Sequence, residues 1–448
     1  AFQHALQLNP LHASAEFGLS RAYQQSTDID HARQHLKKFQ YITQNKIGAP
    51  MSLAYGEQGQ YSRAVESPSA VLKAPAQIKV KFVDMTAEAG LRSMRPALSG
   101  FVDAAGPGAC FLDYDNDGKV DIFLADNGAQ GGMSLYHNLG NGKFEDVTKK
   151  AGIPENVHGV GCAAGDYDND GWTDLAVSTN DEVLLFHNEK NGTFHDVHED
   201  ANLLTNYSNL GLTFVDYDHD GDLDLLVTRH YDAAGAMELF RNNGDGTFTN
   251  VTEAKGLQEA RSTGGVSVIG SDYNNDRAVD IVVPDGGPTI LENPREGKFI
   301  PRRLWPSTFP SAVRGVSVLD FDHDGWMDVA FTHIDWQGVT LWRNNHGKAF
   351  ERVSLPKTEW VHGGYGVAAI DYDNDGWVDL VAVGETKEGK GEIRLFRNLG
   401  ADGFKDVTAD VGLDKIQLKE PRAIITGDYD GDGATDLLIT QNHGPAVL

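Results

Sequence analysis

The sequence predicts a mainly β chain, a seven-bladed β-propeller preceded by a short α-helical segment. Three observations lead there. An acidic phrase repeats along most of the chain, two further phrases share its period, and one of these has a spare copy ahead of the first repeat. The acidic phrase reads Asp-aromatic-Asp-x-Asp-Gly-x-x-Asp and starts at Asp113, Asp166, Asp216, Asp320, Asp371 and Asp428, with a degenerate copy at Asp272. The span from Asp113 to Asp428 is 315 residues in six steps, a mean period of about 52.

Each acidic phrase lies between two short apolar stretches, such as Gly161–Gly165 before it and Asp174–Val177 after it. An apolar strand ending in Asn follows (Leu135–Asn138, Leu185–Asn188, Leu239–Asn242, Leu341–Asn344, Leu395–Asn398). A Phe-x-x-Val strand completes the unit at Phe144, Phe194, Phe248, Phe350 and Phe404, with Phe299 marking a worn copy. Four short strands per unit is the size of one propeller blade. Seven acidic hairpins therefore predict seven inner strand pairs. The last unit stops before its own Phe-x-x-Val strand, and the spare copy, Phe82-Val-Asp-Met-Thr-Ala-Glu-Ala-Gly-Leu91, matches Phe144–Ile153. Residues 79–86 are thus expected to supply the outer strand that closes the last blade, because closure removes free sheet edges. An open solenoid or another blade count would satisfy the same period.

Residues 1–66 carry a helical period instead, with Ala22-Tyr23 and Ala32 recurring 32 residues later as Ala54-Tyr55 and Ala64. That spacing is close to a tetratricopeptide repeat, with generic amphipathic helices as the alternative. Residues 67–78, rich in Ser, Pro and Ala, read as a linker, and 79–448 as the propeller. The opening Ala1 and the break at Leu448 read as a piece of a longer protein.

The chain has 38 Lys+Arg against 65 Asp+Glu, a net charge of −27. The first 77 residues hold seven basic and five acidic side chains, so the acidity lies wholly in the repeats. A strongly acidic surface argues against nucleic acid and anionic membranes as partners, and no apolar run is long enough for a membrane-spanning helix.

The acidic phrases are the candidate metal sites. Oxygen ligands at positions 1, 3 and 5, a backbone carbonyl at 7 and a carboxylate at 9 suit a hard cation, and Gly at 6 permits the reversal. The absence of Cys and His from the ligand positions of the phrase argues against zinc. An EF-hand would place Glu at position 12 between helices; here position 12 is Leu124 or Val177, between strands. The predicted ligand sets are Asp113, Asp115, Asp117, Lys119 and Asp121; Asp166, Asp168, Asp170, Trp172 and Asp174; Asp216, Asp218, Asp220, Asp222 and Asp224; Asp320, Asp322, Asp324, Trp326 and Asp328; Asp371, Asp373, Asp375, Trp377 and Asp379; and Asp428, Asp430, Asp432, Ala434 and Asp436. About six Ca²⁺ ions are expected. The degenerate loop, Asp272, Asn274, Asp276 and Asp280, has Arg277 in place of Gly and is expected to hold Ca²⁺ weakly or not at all. Trp172, Trp326 and Trp377 at position 7 read as shields over the ions.

These residues resemble an FG-GAP/VCBS-repeat propeller of the kind found in the integrin α-subunit head. The Phe-x-Asp-Val-Thr-x-x-Ala-Gly-Leu phrase, joined to Gly-Asp-Tyr-Asp-Asn-Asp-Gly, is similar to the cartilage acidic protein and ASPIC/UnbV group. The resemblance spans about residues 79–448. It implies Ca²⁺ in the six intact loops and a secreted, periplasmic or surface location.

Nucleophile-elbow, zinc-hydrolase and phosphate-loop phrases are absent. Cys110 and Cys162 differ by one residue in their offset from the following Asp. They should therefore face opposite ways, and read as two buried free thiols rather than a disulfide. At the channel end opposite the acidic hairpins, His158, His230, Arg314, His333, Trp336, His362, Arg422 and His443 form a candidate ligand rim. The leading expectation is a non-enzymatic, Ca²⁺-stabilised module that binds protein or glycan. A polysaccharide lyase or hydrolase at the rim is one alternative. A structural subunit of a surface assembly, using the helical segment as a contact, is another.

Overall fold

The computed structural model describes Leu6 and residues 13–25, 29–44, 79–91, 107–126, 132–205, 209–229, 237–257, 267–284, 287–310, 313–333, 338–358, 360–442 and 445–448. The chain divides into two compact units, Ala1–Leu72 and Lys73–Leu448. The described part of the first is a helical hairpin, Ala13–Gln25 and Ile29–Gln44. Phe17 meets Phe39 at 5.0 Å and Tyr23 meets His31 at 5.1 Å between ring centroids, so the helices run antiparallel. The second proposed helical repeat, around Ala54-Tyr55 and Ala64, and the linker 67–78 lie outside the described residues.

The second unit is a propeller of six four-stranded antiparallel blades. Blade 1 is Ala109–Leu112, Asp121–Leu124, Ser134–Gly140 and Lys143–Asp146; blade 2 is Gly159–Gly165, Asp174–Thr179, Val183–Asn188 and Phe194–Asp196. Blades 3 to 6 begin at Asn209, Ile269, Val313 and Trp360 and follow the same order. Each acidic phrase joins the first strand to the second.

A seventh four-stranded blade is not formed, which corrects the sequence expectation. The last sheet has two strands, Pro421–Gly427 and Asp436–Gln441. Its third position is reduced to a single bridge between Ile439 and Val447, so little remains for an outer strand to pair with. Residues 79–85 accordingly carry no strand. They still reach this sheet: Met85 N donates to Leu448 O (2.8 Å) and Leu448 N to Thr86 Oγ1 (3.1 Å). Val147 and Thr148 make the same pair of contacts with Leu135 in blade 1.

The core lies between sheets. Leu112 and Tyr114 of blade 1 pack with Leu175, Val177 and Phe186 of blade 2. Ile122, Leu124 and Tyr136 of blade 1 pack with Tyr429 and Leu438 of the last sheet. Second strands are covered on both faces, which is why they read as unbroken apolar runs rather than alternating ones. Glycine serves close approach at the inner strands: a Cβ on Gly315 would sit 2.3 Å from Tyr365 O.

Cys110 and Cys162 are joined in a disulfide with Cα atoms 6.1 Å apart, which corrects the free-thiol expectation. The inferred offset was sound but its consequence was reversed. Neighbouring blades meet with opposite faces, so side chains on opposite faces of equivalent strands are the ones that meet across the boundary.

Candidate metal centre

Each hairpin folds around its own carboxylates. In the first loop Asp113 accepts from Asp117 N (3.1 Å) and Gly118 N (2.9 Å), while Asp117 accepts from Lys119 N (2.9 Å). The Asp166, Asp320 and Asp371 loops repeat the pattern. Position 4 has positive φ throughout, from 51° at Asn374 to 75° at Gly431, and Gly at position 6 lies between 81° at Gly325 and 95° at Gly221. Position 4 in four loops is Asn, a residue that tolerates this conformation. The Asn116 amide donates to Gly171 O of the next loop (3.0 Å), and Asn374 to Gly433 O (3.0 Å), tying neighbouring hairpins together.

The position 9 carboxylates Asp121, Asp174, Asp224, Asp280, Asp328 and Asp379 are fully buried. In the first blade Asp121 accepts from Asn138 N (2.7 Å) and Tyr114 N (3.1 Å). Burial raises Asp121 to about 6, Asp174, Asp280 and Asp328 to about 7, and Asp224 and Asp379 to about 8. Half-buried Asp436 rises to about 6 for the same reason.

Position 3 is different. Buried Oδ1 atoms of Asp115, Asp218, Asp322 and Asp373 accept no hydrogen bond, and Asp216 Oδ1 at position 1 shares that condition. Clusters of three carboxylates, such as Asp113, Asp115 and Asp117 or Asp216, Asp218 and Asp224, bring one oxygen each within 4.8 Å of the others. Basic side chains lean on several of these groups. His137 lies 3.5 Å from Asp115, Arg343 2.6 Å from Asp322, and Arg397 2.8 Å from both Asp373 and Asp375. Two further groups add His137 to Asp115 and Asp121 and His187 to Asp168 and Asp174, but carboxylate oxygens with unsatisfied lone pairs dominate, which fits Ca²⁺.

The degenerate loop keeps the backbone, and Asp280 Oδ2 is buried without a hydrogen bond, but Asn274 removes one carboxylate. Asp272 accepts from Asp276 N (3.0 Å) and Arg277 N (2.8 Å), with Arg277 at φ 69°. The Asn274 amide donates to Asp276 (3.1 Å), filling a carboxylate oxygen from within. In this blade Glu292 stands where His137, His187, Arg241, Arg343 and Arg397 stand elsewhere, and it pairs with Arg302 (2.9 Å).

The Asn that ends each third strand proves structural. Asn242 donates to Leu223 O of its own loop (3.1 Å) and to Tyr167 O of the preceding blade (2.7 Å). Asn188, Asn293, Asn344 and Asn398 bond the preceding blade likewise, and Asn138 bonds Tyr429 O of the last sheet (2.7 Å). The repeated Asn was visible in the sequence; its reach into the adjacent blade was not. Trp377 stacks edgewise on His323 of the previous loop (4.6 Å) and Trp326 on His346 (5.3 Å), so both pack between loop elements.

The rim residues separate. Arg314 and Arg422 converge on Tyr365 at the channel, whereas His158 pairs with Asp126 at 3.0 Å. His333 is fully buried beside Thr340 (2.9 Å) under Phe309, which corrects its placement on an open rim. The strand runs on to the His333 N–Gly338 O bond and carries the imidazole inward. His230, Trp336 and His443 lie outside the described residues, as does the His362 side chain.

Raised carboxyls give a pH expectation for the ion-free chain. A buried Asp whose folded pKa exceeds its unfolded value near 4 holds its proton better when folded. Stability is therefore greatest at the acid end and falls as pH rises from about 4 to about 8. Melting in chelator across pH 5 to 8 should show that decline; a flat or rising profile would contradict it.

Blades joined face to face by buried inter-blade bonds, with an acidic hairpin on each inner strand pair, define a β-propeller with metal-type loops. The FG-GAP-like repeat family model matches residues 113–177, 166–227, 228–283, 272–331, 320–382 and 371–439, and the chain belongs to that family, a protein-interaction module type. It is 33% identical over 161 residues to cartilage acidic protein 1 of Xenopus tropicalis and 31% identical over 161 residues to that of Homo sapiens. Each match covers 33% of this chain and about a quarter of the relative, 25% and 24%. An Agrocybe aegerita lectin, described as recognising non-reducing terminal N-acetylglucosamine, has 17% identity and a TM-score of 0.48 over 81% of this chain and 89% of its own.

Proposed function

We propose that this chain is a Ca²⁺-stabilised extracytoplasmic interaction module for a protein or glycan partner. The observation that carries the proposal is the set of buried, unsatisfied oxygens at position 3 inside carboxylate-rich clusters. The residues that would hold Ca²⁺ are those of the six intact loops. The ion supplies charge neutralisation where carboxylates crowd; the loops then hold neighbouring hairpins through the Asn116 and Asn374 links. The Cys110–Cys162 disulfide supports an oxidising location. The domain reading remains a helical segment at 1–66, a linker at 67–78 and a propeller at 79–448. Within it, 79–86 is the element that closes on the two-stranded last sheet, supported by the Met85 and Thr86 contacts to Leu448.

Metal analysis after equilibration in Ca²⁺ tests this. About six ions per chain are expected, one fewer after Asp371→Asn with Asp373→Asn, and none fewer after Asp272→Asn with Asp276→Asn. A content near zero, or seven ions with one lost from the Asp272 loop, would overturn the assignment.

A further inference from the structure

The inner strands carry a pattern the acidic loops do not explain. Six residues ahead of each loop's first Asp, the chain places Pro107, Val160, Leu210, Arg314, Tyr365 and Arg422 in one layer of the central channel, among the described residues. Three are apolar and come from blades 1 to 3. Three are cationic or phenolic and come from blades 5 and 6 and the last sheet. They line a cavity of about 280 Å³. The next layer, one residue on, is Gly108, Gly161, Gly211, Ser267, Gly315, Gly366 and Ala423, so no bulky side chain fills the channel there.

The polar side is assembled. Arg422 lies 4.2 Å over the Tyr365 ring, and Arg314 approaches it at 6.0 Å. Glu385 (3.1 Å) and Glu420 (3.2 Å) hold Arg422 without lining the cavity. Among the described lining residues the ionisable side chains are therefore two guanidiniums and a phenol. Burial, then the neighbouring Arg422 cation, holds Arg314 below the usual guanidinium range. An anion placed between them offsets both effects.

We propose that the central channel binds a small amphiphilic carboxylate, its oxyanion between Arg314 and Arg422 and its apolar body against Pro107, Val160 and Leu210. This rests on reading the propeller as a binding module and names one ligand class for it. Guanidinium suits the group because its planar fork matches a carboxylate. A ligand with both parts is required, because one wall is apolar and the other presents the Arg314 and Arg422 guanidiniums, the latter also held by Glu385 and Glu420.

Calorimetric titration of the Ca²⁺-equilibrated chain with hexanoate, hexanol and sulfate tests the proposal. Hexanoate should bind one to one, with hexanol and sulfate each at least roughly tenfold weaker, the expected loss of a charge-assisted contact or of the apolar contacts. Arg314→Leu should cost hexanoate roughly tenfold or more and leave hexanol unchanged. Hexanol or sulfate matching hexanoate overturns the proposal, as does an Arg314→Leu chain that melts normally and still binds hexanoate fully. Should that variant not fold, the wild-type comparison decides alone. Loss of hexanoate binding with the Ca²⁺ content intact defeats only this inference. Hexanoate binding without Ca²⁺ content defeats only the metal reading.

Discussion

Chelating divalent cations should lower the melting temperature by on the order of 10 °C or more, and added Ca²⁺ should restore it. A ligand that binds only the folded chain contributes about 2.7 kcal/mol per site at a hundredfold excess over Kd. Six such sites sum to a large term, although neighbouring loops linked through Asn116 and Asn374 will not add independently. For a unit of this size each kcal/mol moves the midpoint by about 2 °C or less. Mg²⁺ should restore far less, because it keeps its waters and demands a strict octahedron, whereas these loops offer crowded carboxylates and a carbonyl. The ion-free chain is not unfolded in this picture. His137, Arg343 and Arg397 already lean on position 3 carboxylates and partly stand in for the missing charge. A chelator scan that superimposes on the Ca²⁺ scan would remove metal from the account of stability.

The acidity that dominates the composition thus has an address. Patterned carboxylates crowd in clusters that could hold a metal ion, and in the proposed function their charge is ligand charge. Their period was legible because each blade needs the same hairpin, and a repeated requirement leaves a repeated phrase. The four-stranded unit was legible for the same reason. What stayed hidden was everything that depends on how blades face one another. The Cys110–Cys162 pair needed the opposite-face rule, the buried position of His333 needed the length of its strand, and the Asn latch needed the neighbouring carbonyl. The two-stranded last sheet was misread because a matching phrase at Phe82–Leu91 signals a role in closure, but strand pairing also needs a third strand to receive it. The channel layer shows the converse. Arg314 and Arg422 were legible as members of one polar rim, while Tyr365, whose ring both approach, carried no signal until the offsets from the loops were compared.

The latch sets the second large effect. Asn242→Ala removes the amide that satisfies Tyr167 O and Leu223 O, and the acceptor that takes Gly244 N. Tyr167 O is buried and loses its partner without gaining water, whereas half-buried Leu223 O and the N–H of exposed Gly244 regain part of theirs from solvent. A buried unsatisfied group costs about 1–3 kcal/mol, giving a loss of roughly 2–4 kcal/mol for the site. Asn242→Asp should be at least as damaging: it keeps the acceptor for Gly244 N but points a carboxylate at two carbonyls, beside buried Asp224. Chemical denaturation with Ca²⁺ present isolates the effect from metal loss, and Asn243→Ala, at an exposed neighbouring position, controls for the loop. Because Asn138 makes the same bond to the last sheet, Asn138→Ala should cost as much if that sheet closes the ring, and much less if the ring is open there. Equal stability of Asn242→Ala and Asn243→Ala would show that blade contacts rest on apolar packing alone, and that the Asn repeated in every unit contributes little to holding the blades together.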